Sequence, residues 1–178
     1  QIMIAAKSGK SIRFEEGKTR PMGRNASGVR GITLRDEKDE VVGMVSIADD
    51  ESDILVVSEK GYGKRSKLED YRITNRGGKG VKTINITPKT GDLVAIKNVT
   101  DQDDLMIINK SGITIRMEVS DLRVMGRATQ GVKLINIRDN DSIAAVAKVM
   151  HEEDEVVDDA ANEGDSEIKT DENHEKNE

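Results

Sequence analysis

Four basic positions recur along this chain at nearly constant spacing. Arg13, Arg65 and Arg116 form one set, Arg20, Arg72 and Arg123 a second, Arg24, Arg76 and Arg127 a third, and Arg30, Lys82 and Lys133 a fourth. The two intervals are 52 and 51 residues. Gly9, Gly61 and Gly112, then Gly28, Gly80 and Gly131, then Ile32, Ile84 and Ile135 keep the same register. A guanidinium is a planar fork that matches two phosphate oxygens. Glycine beside it, as in Arg76-Gly77-Gly78-Lys79-Gly80, lets a backbone approach closely and offers amide donors. With Lys64 and Lys79 these side chains are the candidates for gripping a polyanion. The alternative is that they are solvated remnants of duplication, or partners of nearby acids such as Glu15, Glu69, Asp70, Glu118 and Asp121. One position would fit that alternative, but four kept basic in three copies weigh against it. Only Phe14, Tyr62 and Tyr71 are aromatic, too few for a platform on which single-stranded bases stack.

The elements that must carry these cations are strands. In the middle copy, Ile54 to Val57 is an aliphatic run, and Lys60-Gly61 turns into Tyr62 to Lys67. A glycine-rich loop precedes a third run at Val81–Ile86. Thr87-Pro88-Lys89-Thr90-Gly91 makes a turn, and Leu93 to Val99 is the fourth run. No segment has helical periodicity, and the runs are rich in Ile, Val and Leu. Lys82, Ile84 and Ile86 share a face by the two-residue period, so the aliphatics point inward and the cation sits at the rim. Three units follow, 1–52, 53–103 and 104–150, each read as a four-stranded blade. A period near fifty with radial repetition points to an all-β, propeller-like ring. Three blades cannot close a flat ring, since propellers use about four to eight. A larger ring is the favoured reading, because the chain starts at Gln1 rather than Met; a homodimer of two half-rings is the alternative.

Charge divides the chain in two. Of 34 acidic and 28 basic side chains, 13 acids and two Lys lie in residues 151–178, leaving 26 basic and 21 acidic side chains in residues 1–150. A basic body beside an acidic tail is a pattern of polyanion binders that mask themselves. The tail has too little apolar content for a core and reads as disordered. The absence of Cys excludes disulfides and thiolate zinc sites and fits a reducing compartment. No apolar run approaches the ~20 residues of a membrane helix.

Catalysis has no candidates. His151 and His174 lie in the acidic end, and no nucleophile–base pair can be proposed. Gly61-Tyr62-Gly63 lacks the third glycine of a dinucleotide fingerprint. The acids Asp49, Asp50, Glu51 and Asp53 read as a solvated turn rather than a metal site. The chain by itself reads as non-enzymatic, with no cofactor.

Gly61-Tyr62-Gly63-Lys64-Arg65, Tyr71, Arg76 to Val81, Gly126-Arg127-Ala128-Thr129-Gln130-Gly131-Val132 and the acidic end resemble the C-terminal domain of bacterial DNA gyrase A. Met22-Gly23-Arg24 and Gly28-Val29-Arg30-Gly31-Ile32 fit the preceding blade. The resemblance implies the last three blades of a six-bladed β-pinwheel, in which neighbouring blades exchange strands. It implies that a basic rim wraps duplex DNA and feeds an ATP-driven strand-passage core of a type II topoisomerase, giving negative supercoiling. It also implies, as partners, the rest of gyrase A and gyrase B, which use ATP and Mg, and a location in the bacterial cytoplasm at the nucleoid. The family's glycine-rich box belongs to a blade not seen here; Asn75-Arg76-Gly77-Gly78-Lys79-Gly80 lacks its Gln and one basic residue. The related topoisomerase IV domain and a protein-binding propeller scaffold are the alternatives.

Overall fold

The computed structural model describes residues 1–48, 51–138 and 140–150. The chain order is β1 (Ile2–Ala6), β2 (Lys10–Phe14), β3 (Val41–Ser46), β4 (Asp53–Ser58), β5 (Tyr62–Lys67), β6 (Val81–Lys82), β7 (Leu93–Val99), β8 (Asp103–Asn109), β9 (Thr114–Glu118), β10 (Val132–Lys133) and β11 (Ile143–Met150). The helical content among the described residues is two single 3₁₀ turns, Glu16–Lys18 and Leu68–Asp70. No helix there is long and apolar enough to cross a membrane.

Three antiparallel sheets result, ordered β3-β1-β2-β6, β10-β5-β4-β7 and β11-β8-β9. The last strand of the first two sheets comes from the following unit. β6 pairs with β2 through Lys10↔Lys82 and Ser11↔Val81, and β10 pairs with β5 through Tyr62↔Lys133 and Gly63↔Val132. The third runs of the second and third units therefore complete the blade of the unit before. That of the second unit is also shorter than expected: of Val81–Ile86 only Val81 and Lys82 are strand. The third sheet has three strands rather than four, because β9 receives none. One further difference from the repeat lies in the third unit. Partners across the first and last long strands are Ala6↔Val41, Ser58↔Leu93 and Asn109↔Ile143, so the last loop is one residue shorter than its counterparts.

The core lies between the sheets. Strand β4 is buried along its whole length and serves both sides. Ile54 and Val56 join Met3, Ala5, Leu68, Tyr71 and Ile84 at the first seam. Leu55 and Val57 join Leu105, Ile107, Val119, Leu122 and Ile135 at the second. A strand covered on both faces needs an unbroken apolar run rather than alternation, as Ile54 to Val57 shows. β3 packs against β7, and β7 against β11, so these edges meet at the inner side of the array. The exchanged strands β6 and β10 lie on the opposite, outer edge.

Candidate nucleic-acid interface

Strand exchange fixes what each repeated cation can reach. Lys82 lies on β6 directly opposite Lys10 of β2, and Lys133 lies on β10 opposite Tyr62. Like charges directly across a ladder repel, and an anion between Lys10 and Lys82 would relieve that repulsion. At the second seam Lys133 lines an open groove of about 550 Å³ with Lys60, Tyr62, Lys89 and Arg138. Lys89 Nζ sits 5.5 Å from the Tyr62 ring centroid, a cation–π distance. Lys10, Lys60, Lys89 and Arg138 were not among the candidates. They escape the repeat comparison because their aligned positions are not basic in every unit, and only the register of the exchanged strands brings them to the rim.

Of the fourteen candidates, Arg20, Arg24, Arg30, Arg72, Lys79, Lys82, Arg123 and Lys133 are exposed, and none forms an ion pair among the described residues. Lys82 does hydrogen-bond Asn85 Oδ1 at 3.1 Å. All of these eight cations but Lys79 belong to the repeated positions.

Six candidates are engaged within the fold. Arg13 is buried in the first seam, where its Nε donates to Gln1 Oε1 at 2.6 Å and its Nη1 to Leu68 O at 2.8 Å and Tyr71 O at 3.1 Å. Arg65 is buried too, donating from Nη1 to Asp101, with Nε 3.7 Å from Asp53 Oδ2. Arg116 donates from Nε to Asp104 Oδ2 at 2.7 Å and remains partly exposed. Arg13 and Arg65 lie on a strand face that looks into a seam, so the expectation of a solvent-facing cation is corrected there. Lys64 is also corrected. It is fully buried, and its Nζ donates to Gly126 O at 2.6 Å, to Arg127 O and to Ser66 Oγ at 3.2 Å. Burial lowers its pKa to about 8; Asp70 opposes that shift and the nearby Arg127 adds to it.

Arg76 and Arg127 make the same contacts one unit apart. Arg76 donates from Nε to Lys18 O at 3.0 Å and from Nη1 to Arg30 O at 3.1 Å. Arg127 donates from Nε to Asp70 O at 3.1 Å and from Nη1 to Lys82 O. Lys18 and Asp70 are equivalent positions, as are Arg30 and Lys82. Each guanidinium thus staples its own unit to two carbonyls of the unit before. The backbone repeats the pattern: Thr74 N bonds Arg13 O as Met125 N bonds Arg65 O, and Thr83 N bonds Gly9 O as Leu134 N bonds Gly61 O.

Among the described residues no group of His, Asp or Glu could hold a metal ion. Residues 49 and 50 of the acidic turn, and the whole of the acidic tail 151–178, lie outside the described residues.

Sheets repeated side by side, the first two completed by the following unit's strand with Lys82 and Lys133 on that outer edge, define a propeller-like array of the β-pinwheel type. A family model described as DNA gyrase C-terminal domain, beta-propeller, matches residues 1–48, 52–100 and 103–150. The chain belongs to that family. It is 50% identical over 155 residues to the DNA gyrase A protein of Staphylococcus aureus strain MRSA252, covering 86% of this chain and 17% of that protein. The gyrase A of strain NCTC 8325 / PS 47 is 49% identical over 160 residues, covering 89% of this chain and 18% of that protein. The chain thus spans less than a fifth of the length of these relatives. Among solved structures, a DNA gyrase A C-terminal domain matches with a TM-score of 0.76 at 27% identity, over 84% of this chain and 50% of that one. A DNA topoisomerase IV C-terminal domain matches in fold with a TM-score of 0.78 at 22% identity, over 84% and 46%.

Proposed function

We propose that residues 1–150 bind duplex DNA along the outer edge of the array and bend it, as part of the wrapping domain of a gyrase A protein. The observation that carries this reading is the set of eight exposed candidate cations without ion pairs, Lys82 and Lys133 on the exchanged strands and the other six in the loops of the three units. Cations at regular angles along an arc follow a curved backbone, and they read charge rather than bases. Histones hold DNA by comparable physics. Bending a 20–30 bp stretch by 40–90° costs of order 1–6 kcal/mol, which several phosphate contacts offset only if the track is continuous. Further repeats of the same kind, in the rest of the ring, extend the track. The chain by itself is a non-catalytic module. Wrapping would present a DNA segment to the strand-passage machinery formed by the remainder of gyrase A with gyrase B, supporting ATP-dependent negative supercoiling in the bacterial cytoplasm. Identity near 50% to gyrase A favours that enzyme over topoisomerase IV.

Titrating linear duplex at several salt concentrations tests the reading. If six to eight cations meet phosphates, log K falls against log salt with a slope of about −5 to −7. Affinity then drops by about three decades or more between ~50 and ~200 mM salt. Salt-insensitive binding, or capture of a protein partner in its place, would favour the scaffold alternative.

A further inference from the structure

Tyr62 opens β5 and sits directly opposite Lys133 of the exchanged strand β10. Partners across an antiparallel ladder have Cβ atoms about 4.5–5.5 Å apart, so these two side chains are neighbours. Lys89, on the turn after the third run, reaches the same ring, with Nζ 5.5 Å from its centroid. Lys60 donates from Nζ to Pro88 O at 2.6 Å, which ties it to the turn that carries Lys89. An ammonium has three donors, so Lys60 keeps two for a ligand. These residues and Arg138 line the groove of about 550 Å³ at the second seam. Its four cations are exposed, and none forms an ion pair among the described residues. Asp141, the acid among the described lining residues, is turned to its own loop. Its carboxylate accepts from Ser111 Oγ at 2.8 Å, Ser111 N at 3.3 Å and Ser142 N at 2.8 Å. An open groove with four cations and one engaged acid fits an extended anion that passes through it.

The repeat does not impose this charge. Lys60, Tyr62 and Lys89 stand where the first unit has Ser8, Lys10 and Glu37. Lys133 and Arg138 stand where the second unit has Lys82 and Thr87. The five groove positions sum to +4, and their five equivalents one unit earlier sum to +1. In the earlier set Lys10 faces Lys82 across the ladder. Tyr62 in place of that lysine removes a repelling charge and supplies a ring face that holds Lys89.

We propose that this groove seats the sugar-phosphate backbone of one DNA strand where the duplex crosses the second seam. Lys60, Lys89, Lys133 and Arg138 neutralise its phosphates, and Tyr62 is a positioning residue that holds Lys89 in place. The proposal rests on the duplex-binding reading and adds to it a defined point of grip, built mostly from positions that do not repeat. Binding of linear duplex to the full chain, measured by fluorescence anisotropy at ~50 to ~200 mM salt, tests it. Lys60→Gln, Lys89→Gln and Arg138→Gln are each expected to reduce the salt slope by about one. Lys7→Gln, which removes an ammonium paired with Glu40 at 3.0 Å outside the groove, leaves the slope unchanged. Tyr62→Leu removes the ring without touching charge. It is expected to weaken binding about two- to fivefold with the slope unchanged, while Tyr62→Phe, which keeps the ring, binds as wild type. In a Lys89→Gln background the Tyr62→Leu effect vanishes, because the ring acts through Lys89. A Tyr62→Leu loss that persists in that background, or no loss in Tyr62→Leu alone, overturns the positioning role. A wild-type slope in the triple variant Lys60→Gln, Lys89→Gln and Arg138→Gln, alongside a reduced slope in Lys82→Gln, overturns the groove and leaves the wider DNA surface standing. No binding of duplex by the wild-type chain at low salt removes the duplex-binding reading itself.

Discussion

Lys64 shows how one side chain can look like a ligand contact and serve another end. Its aligned positions are Ile12 and Ile115, so the middle unit alone places an ammonium in an apolar slot. The slot is completed by the carbonyls of Gly126 and Arg127 from the next unit. With a folded pKa near 8 against an ordinary 10.5, the unfolded chain holds this proton more tightly than the folded one. Below pH 8 both states are charged and the folded state carries the full desolvation penalty. Between about pH 8 and 10.5 the unfolded state binds more protons, so stability rises with pH. Denaturant unfolding across that window should show a rise of up to about 3 kcal/mol in wild type relative to Lys64→Ile. Parallel curves for the two proteins would refute it. Arg127 gives a companion test. Arg127→Gln loses the staple to Asp70 O and Lys82 O and should lower stability by about 1–2 kcal/mol. It should leave the salt slope of DNA binding unchanged, whereas Lys133→Gln should reduce that slope by about one.

At the scale of elements, the exchanged strand is two residues long, and its glycine decides whether it docks. Gly28, Gly80 and Gly131 occupy the same repeat position, all with positive φ. A Cβ on Gly131, at φ +82°, would lie 2.6 Å from Gly63 O of the neighbouring blade. One on Gly28, at φ +79°, would meet nothing within 4 Å. Gly28→Ala therefore meets only the left-handed backbone cost of about 1–2 kcal/mol. Gly131→Ala adds a backbone clash that must push β10 off β5, and about 3 kcal/mol or more in total is expected from chemical unfolding. Equal losses in the two variants would mean the exchange contributes no stability. These elements also mark the limit of what the sequence discloses. The hairpin Asp53–Ser58 to Tyr62–Lys67 and the strand Leu93–Val99 were legible from aliphatic runs and the Pro88-Gly91 turn. The pairing of Val81-Lys82 with Lys10-Ser11 was not, since two residues carry no period and their partner is some seventy positions away. For the same reason Arg65 and Lys64 could not be placed from pattern alone. Strand β5 is buried on both faces by flanking sheets, so alternation does not mark a wet side.

For the whole molecule the charge balance is set between regions rather than within them. Residues 1–150 carry a surplus of basic side chains, and residues 151–178 hold 13 acids against two Lys. An acidic segment joined to the array would compete with DNA for the same rim at an effective concentration fixed by its length. Such competition would be electrostatic on both sides, so added salt would weaken the tail and the duplex together. Removing residues 151–178 should therefore tighten duplex binding most at ~50 mM salt, with the gain shrinking toward ~200 mM. It should also steepen the salt slope, because cations previously neutralised by the tail would now release counterions from DNA. Comparing the full chain with the shortened one, by anisotropy titration at each salt, measures both effects. The eight exposed cations make the size of the gain informative. A change in affinity with the slope fixed would mean the tail acts through folding or access and not through the rim. Identical affinity and slope in both chains would reject masking, and would leave the acids a role in solubility alone.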